Sequence, residues 1–468
     1  LVVDEDGSQI CIASIETKWS SLRPGEVEGI AEDFVHGVIS VIAQAVAQAE
    51  SLLNGEIKVK GIGIAGLAES GVIVDRAGNC LSPVIAWYDE RGEEEMQALP
   101  QSFKDEFSRK TGLIFTSQCS LGKWLYLQNK VAKFSKDSQW LNLLEYIAYS
   151  LTGERFTQPS LASRTGAWNL DSDTPWNAAL DLIAMDSSFI PELKHAGESF
   201  GVVIRDEVPK QIRGAVVTVA GHDHPVASVG AGAIGDDVLF NSTGTADVLL
   251  RTIRGKISGE NRAQLVAGGI GSGAHVLPGK SVLIGGTRAG LILRRVLALF
   301  EDFDPAIREK FDQAWSPDQV DNSISVSEPN FMSNEVLFTL TNEAPAQSLW
   351  NAALRYNQNE TRKILQHMTT VVGGHKISRA SGGWLRLRSV RESKETLMPG
   401  LSISTAREAG AFGAAPRDRP QSALRPAGTG DLPGQDRLSG LVRIRRAKRP
   451  GHRARGASPA RERLPLSQ

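Results

Sequence analysis

Val219-Ala-Gly-His-Asp-His-Pro225 is the stretch that decides how this chain is read. Ahead of it, residues 215–219 form a β-branched run that predicts a buried strand. The run ends at Gly221. One carboxylate, Asp223, stands just past that end between His222 and His224, and residues 226–229 begin a helical pattern. Ligands of open α/β sheets bind at the carboxyl ends of strands. Taken alone, Asp223 reads equally well as a cap on the following helix and as a catalytic base. A second glycine loop, Asn241-Ser-Thr-Gly-Thr245, follows across an expected domain joint. A carboxylate facing a Gly-Thr loop suits phosphoryl transfer, because the acid takes a hydroxyl proton while backbone and hydroxyl donors hold phosphate.

Toward the N-terminus, residues 59–65 predict a buried strand that runs into the loop Gly66-Leu-Ala-Glu-Ser-Gly71 and then a hairpin around Asp75-Arg-Ala-Gly78. Pro83-Val-Ile-Ala-Trp-Tyr-Asp-Glu-Arg91 closes in a polar cluster. Glu69 and Asp89 therefore sit in loops after strands. Singly, Glu69 reads as a solvated loop acid and Trp87 as a core aromatic. The chain opens on a hairpin, Leu1-Val-Val-Asp4 returning through residues 10–15. Ile30, Phe34, Val38, Ile42, Val46, Ala49 and Leu53 recur at helical spacing and predict one helix over 26–53. Residues 91–184 form a helical, loop-rich insert of the kind that walls a substrate pocket, with 140–151 as one of its helices. Within it, Gln118 and Arg164 are expected to serve packing and surface pairing.

Toward the C-terminus, strands over 238–241 and 247–251 flank the Gly-Thr loop, and 265–273 read as a glycine-rich strand with a turn. Ser281-Val-Leu-Ile-Gly-Gly-Thr287 opens into a helix over 289–300. A long helix covers 346–372, and a strand over 375–380 precedes Ser381-Gly-Gly383. Glycines at such junctions let a ligand come close to the backbone.

A chain of 468 residues predicts two or more domains. No apolar run approaches the roughly 18 residues of a membrane span, and no basic–apolar leader opens the chain. Cys11, Cys80 and Cys119 are scattered and match neither a disulfide framework nor a zinc spacing, so a cytoplasmic location is expected. The net charge of −1 hides an asymmetry: residues 416–468 carry 12 Arg and one Lys against four acids, +9, which leaves −10 on the rest. That basic Pro/Gly/Arg-rich tail has no aromatic residue and no sustained period. It is expected to be disordered rather than a nucleic-acid-binding arm. Its abrupt start, inside a helical pattern, reads as a reading-frame shift.

Taken together, the loops resemble the FGGY carbohydrate kinase family over about Leu1 to Ala415. The resemblance rests on Gly63-Ile-Ala-Gly-Leu-Ala-Glu69, Ala86-Trp-Tyr-Asp-Glu-Arg91, Gly221-His-Asp223, Ser242-Thr-Gly-Thr245, Gly285-Gly-Thr287, Ser381-Gly-Gly383 and Glu408-Ala-Gly-Ala-Phe-Gly-Ala414, in that order. It implies an α/β fold of two actin-like, ribonuclease-H-like domains with mixed sheets facing a central cleft. The N-terminal domain (1–230) would bind sugar and the C-terminal domain (231–415) nucleotide. It also implies ATP-dependent phosphorylation of a primary hydroxyl of a small sugar, sugar acid or polyol, a pentulose being favoured, with Asp223 as general base. Ala68, Glu69, Trp87, Asp89 and His222 would contact substrate. Gly244, Thr245, Gly286, Gly290, Gly382 and Gly383 would contact ATP, with Mg²⁺ held by phosphates and water and no dedicated protein ligand set. The partners implied are a small-molecule sugar or polyol and, optionally, a second copy in a homodimer; neither nucleic acid nor membrane is implied. Two departures stand out. The family's first strand and Asp-Gly-Thr phosphate loop are expected to precede Leu1, and Trp384-Leu-Arg-Leu follows Gly383 where small or Asn-like residues are usual. The alternatives are a catalytically impaired or non-catalytic sugar-binding protein and, less well matched, an actin-like ATPase.

Overall fold

The computed structural model describes residues 1–131, 134–300, 305–319, 321–328, 335–404 and 439–446, the last as backbone only. Two mixed sheets dominate it. The first contains β1 (Val2–Val3), β2 (Gln9–Cys11), β3 (Ile57–Gly66), β4 (Val216–His222) and, from the far end of the chain, β11 (Ser439–Arg446), in the order β4-β3-β11-β1-β2. The second contains β5 (Val238–Thr243), β6 (Asp247–Arg254), β7 (Gly271–Ala274), β8 (Lys280–Thr287), β9 (Ile377–Ser381) and β10 (Leu401–Ile403), in the order β7-β8-β6-β5-β9-β10.

β3 shows how local sequence sets a strand's place. Lys58 and Lys60 alternate outward near its start, and from Gly61 to Gly66 every residue is buried. That is the pattern of a strand covered on both faces. The helix Ala31–Leu53 lays Phe34, Val35, Ile42, Ala45, Val46 and Ala49 against the same core. β4 pairs parallel to β3 through Thr218 and Val219, and the register slips between Val219 and Gly221. Gly221 has φ +113°, and a Cβ there would run into the Ser160 hydroxyl and lie 2.7 Å from Gln158 Oε1. A bulge of this kind bends a strand end and re-aims the residues beyond it; here it turns the chain into the helix Asp223–Gly230.

In the second sheet β5 runs antiparallel to β6, β6 antiparallel to β8, and β5 parallel to β9. Thr243 pairs with Asp247, Asp247 with Thr287, and Ser242 with Ser381. These registers bring the ends of β5, β8 and β9 and the start of β6 to one sheet edge. The sheets are joined through the insert: Ser272 N–H donates to the Gly112 carbonyl (2.7 Å), and Ala274 N–H to Ser163 Oγ (3.2 Å).

Several elements differ from expectation, each for a tertiary reason. The predicted helix over 26–53 begins only at Ala31, because Glu26–Gly29 is a strand paired with Ser20–Arg23 and Val84–Ile85. Residues 140–142 are likewise strand. Gln139–Asn142 pairs with Gly71–Val74, and the expected hairpin around Asp75 is short: Gly78 N–H donates to the Asp75 carbonyl (3.1 Å), Leu81 N–H to the Ile73 carbonyl (2.7 Å), and Val74 bridges Cys80. Asn142 then caps the helix Leu143–Thr152 in a capping box with Glu145, a spacing the sequence displays. Of the expected strand with a turn at 265–273, residues 271–273 are strand, in β7, while 265–267 end a helix, Gly259–Ala267, capped by Ser258. Most of the tail and the Glu408–Ala414 motif lie outside the described residues. The expectation of disorder fails for Ser439–Arg446, which pairs antiparallel with β3 and parallel with β1. Its sequence, Ser-Gly-Leu-Val-Arg-Ile-Arg-Arg, is β-compatible, and the gap between β1 and β3 supplies ladder partners on both sides.

Candidate active site

The bulge at Gly221 sets Asp223 in the first turn of its helix, where the peptide dipoles favour a negative charge. Asp223 Oδ1 accepts the N–H of His224 (2.7 Å), and Oδ2 has no partner among the described residues. The two sequence readings are therefore divided between the two oxygens: one serves the helix start, the other is uncommitted. The side chain is 42% exposed. His222 lies beside it, Nε2 3.3 Å from Oδ1, and is itself buried. Burial pushes the His222 imidazole down to about 4, against the opposing pull of Asp223 and Glu69.

A buried polar chain supports this strand end, and sequence reading missed it. His222 N–H donates to Ser160 Oγ (3.0 Å), and Ser160 Oγ donates to Gln158 Oε1 (2.5 Å). The Gln158 N–H in turn donates to Glu145 Oε1 (2.9 Å). Glu145 also accepts from Thr157 Oγ1 (2.7 Å) and Asn142 N–H (2.9 Å). Burial nevertheless pushes its carboxyl up to about 7. The Asn142/Glu145 spacing was the available signal for this chain's far end; Ser160 carried none.

Glu69 is buried in the loop after β3 and adopts φ +63°, a left-handed conformation uncommon outside glycine. Its Oε1 accepts Arg164 Nε at 2.5 Å. Arg164 was expected to serve packing and surface pairing; its pairing is with a buried neighbour of the catalytic candidate. Ala68 is 1% exposed and belongs to the core beneath β3, so any contact it made with substrate would use the backbone.

Asp89 is committed elsewhere. It accepts Val27 N–H (2.6 Å), Arg91 N–H (2.8 Å) and Arg91 Nη2 (2.7 Å), and Arg91 Nη1 also reaches Glu28 (2.7 Å). Burial opposes the Arg91 charge, but Asp89 and Glu28 outweigh it and raise its pKa. Trp87, by contrast, is exposed and meets Tyr88 edge to face at 5.4 Å. Its carbonyl accepts from Lys123 Nζ (3.2 Å), and that buried ammonium also donates to the carbonyls of Ser117 (2.5 Å) and Gln118 (3.3 Å). Burial pushes Lys123 down to about 8. Sequence reading missed Lys123, whose type and position on an amphipathic helix gave no warning of burial.

The six nucleotide candidates come together at the sheet edge where β5, β6, β8 and β9 meet. Gly244 and Thr245 are exposed there, and Leu291 N–H donates to the Thr245 carbonyl (2.9 Å). A Cβ on Gly290 would collide with the Gly244 carbonyl, and one on Gly382 (φ +129°) with the Thr243 carbonyl. These two glycines are needed for loop-on-loop packing. Gly383 faces open space, Gly244 is nearly as open, and Gly286 has ordinary van der Waals room. Beneath them Asp247 is buried, accepting from Lys394 Nζ (2.6 Å) and Asn241 Nδ2 (2.7 Å), which ties the start of β6 to the helix Arg388–Glu395. Among the described residues no group of three or more His, Cys, Asp or Glu side chains is placed to hold a metal ion.

Two mixed sheets, with a strand-end carboxylate on the first and a glycine edge on the second, define the two-domain actin-like, ribonuclease-H-like class. Among solved structures this chain is similar to Plasmodium falciparum glycerol kinase with ADP (TM-score 0.74, 19% identity, covering 86% of this chain and 82% of that one). It is also similar to ligand-bound xylulose kinase from Lactobacillus acidophilus (TM-score 0.74, 17% identity, 88% and 86% covered). Residues 1–230 match the N-terminal domain of the FGGY family of carbohydrate kinases. Those residues, just under half of the chain, are an N-terminal domain of that family. A glycerol kinase from Chelativorans sp. is 25% identical over 406 residues, 81% of this chain and 78% of that protein. One from Thermococcus onnurineus is 24% identical over 297 residues, and the match spans 61% of this chain and 58% of that relative's length.

Proposed function

We propose that this chain is an ATP-dependent kinase acting on a primary hydroxyl of a small sugar, sugar acid or polyol, with Asp223 as general base. The observation that carries this reading is the uncommitted Oδ2 of a half-exposed Asp223 at the mouth of β4. The family match over residues 1–230 and the open Gly244/Thr245 and Gly383 edge on the second sheet support it. Glycerol kinases among the sequence relatives and xylulose kinases among the structural ones favour a polyol or a pentulose.

In this reading Asp223 takes the hydroxyl proton as the substrate oxygen forms its bond to the γ-phosphorus, and the bond from that phosphorus to the ADP oxygen breaks. His222 beside Asp223 is neutral and so does not pair with the carboxylate's charge. The backbone N–H of Gly244 donates to the Ala246 carbonyl (2.8 Å), which leaves the Thr245 hydroxyl and the open backbone at Gly383 to meet phosphate and nucleotide. Mg²⁺ takes oxygen ligands and keeps several waters. The Thr245 hydroxyl, which has no protein partner among the described residues, would reach it, while Asp223 Oδ2 stays free for the hydroxyl proton. When bound, the ion neutralises charge on the phosphates.

An ADP-release assay over glycerol, pentuloses, polyols and hexonates, run on the full chain and on Asp223→Asn, tests the proposal. Turnover of one compound that drops about 10²-fold or more in the variant is expected. Equal turnover by both proteins would remove Asp223 from the role of base.

A further inference from the structure

Arg164 and Glu69 form an ion pair at the Asp223 end of the first sheet, and each keeps part of its hydrogen-bonding capacity unused. Arg164 spends Nε on Glu69 Oε1. Its Nη1 and Nη2, and Glu69 Oε2, have no partner among the described residues. Neither residue has a stranded buried polar atom, so these groups face solvent-accessible space. The arginine side chain is 23% exposed and the glutamate 8%, as for a pair with only its outer rim open. Both charges act on His222, which touches Asp223, so the pair and the base share one microenvironment. On the other side, Nη1 lies 3.4 Å from where a Cβ on Gly271 would stand. The guanidinium therefore sits at the seam between the sheets, with room kept by a glycine of β7.

The geometry points to Arg164 as the specificity-determining residue of the sugar subsite: with Glu69 it presents a donor edge beside an acceptor, the pattern that reads two adjacent hydroxyls of a neutral polyol or ketose. This rests on the kinase reading above. One hydroxyl donates to Glu69 Oε2, the neighbouring oxygen accepts from an Arg164 Nη group, and the primary hydroxyl is left for Asp223. A sugar acid fits less well. Its carboxylate only accepts, and it would face the like charges of Glu69 and Asp223, with the guanidinium's charge already paired by Glu69. Lysine cannot replace the arginine here, because a single ammonium lacks the planar fork that holds Glu69 with one edge and a ligand with the other.

The test compares the full chain with Arg164→Gln and Arg164→Lys in ADP release and in calorimetric binding. The probes are glycerol, ribitol, D-xylulose, D-gluconate and a deoxy analogue of the neutral compound handled best. Loss of one charge-assisted hydrogen bond is expected to raise KM for that neutral compound about 10- to 100-fold in Arg164→Gln, with KM for ATP unchanged and Arg164→Lys failing to rescue. The deoxy analogue should cost the parent chain a similar factor and cost Arg164→Gln little more. An unchanged sugar KM in Arg164→Gln, or a preference for D-gluconate in the parent chain, overturns the assignment while leaving the kinase reading intact. If no compound releases ADP, the kinase reading falls and binding decides: Arg164-dependent binding of a neutral diol sustains the assignment, and no binding of any neutral probe overturns it.

Discussion

Gly290 packs against Gly244 so closely that a Cβ on Gly290 would overlap the Gly244 carbonyl, with Trp384 Nε1 2.7 Å from the same point. The contact locks the Gly-Thr loop onto the start of the helix Ala289–Ala298. Gly290→Ala must push the loop away. A loss of about 1–3 kcal/mol, in the range for overpacking, is expected in chemical denaturation. ATP affinity should fall while sugar binding is retained, as calorimetry of the two ligands will show. Gly383→Ala, at an open position, should cost far less stability.

His222 is neutral across the physiological range because burial holds its pKa near 4. In the unfolded chain it protonates near 6.5, so the unfolded state binds more protons between those values. Stability from this residue is complete above about pH 6.5 and is lost as pH falls toward 4. His222→Gln should flatten that part of the stability–pH curve measured by urea denaturation.

Glu145 works in the opposite sense. Its folded-state pKa of about 7 lies above the unfolded value of 4.5, so its contribution is fully present below pH 4.5 and declines as pH rises to 7. Glu145→Gln should remove this slope. It also places an amide donor against Asn142 N–H or Gln158 N–H, where the carboxylate only accepts, so an overall loss of about 1–3 kcal/mol is expected. Paired denaturation series at pH 5 and pH 7 will separate the two effects.

Lys123 holds three main-chain carbonyls in place, including that of Trp87. Lys123→Met keeps the aliphatic stem and abandons those carbonyls. A loss on the order of 2 kcal/mol is expected, with Trp87 fluorescence shifted because its loop is no longer tethered. An unshifted emission spectrum would mean that the Trp87 loop is held by other contacts.

Asp89 is wholly buried with Arg91. Asp89→Ala leaves the guanidinium with Glu28 alone, and removal of one partner of a buried pair costs about 3–5 kcal/mol. The expected result is a large fall in the denaturation midpoint. A variant of normal stability with only a raised sugar KM would instead place Asp89 in the substrate site.

The strand–carboxylate–helix unit at Asp223, the glycine loops and the family resemblance were legible in the amino-acid order alone, because these depend on short-range chemistry: which residues can turn, bulge or approach a phosphate. The helix 346–372 and strand β3 were equally legible from apolar period and run length. Elements controlled by long-range pairing had to wait for the fold. Glu26–Gly29 is strand because Val84–Ile85 and Asp89 lie across from it, and Gln139–Asn142 is strand because Gly71–Val74 does. The same holds at the site. Asp89 and Glu69 look alike in sequence, two acids in loops after strands, yet one is closed off by Arg91 and the other meets Arg164, 95 residues away. Local sequence restricts which side chains are able to do chemistry. Burial and the partner brought in by the fold settle which of them keep a free lone pair to do it with.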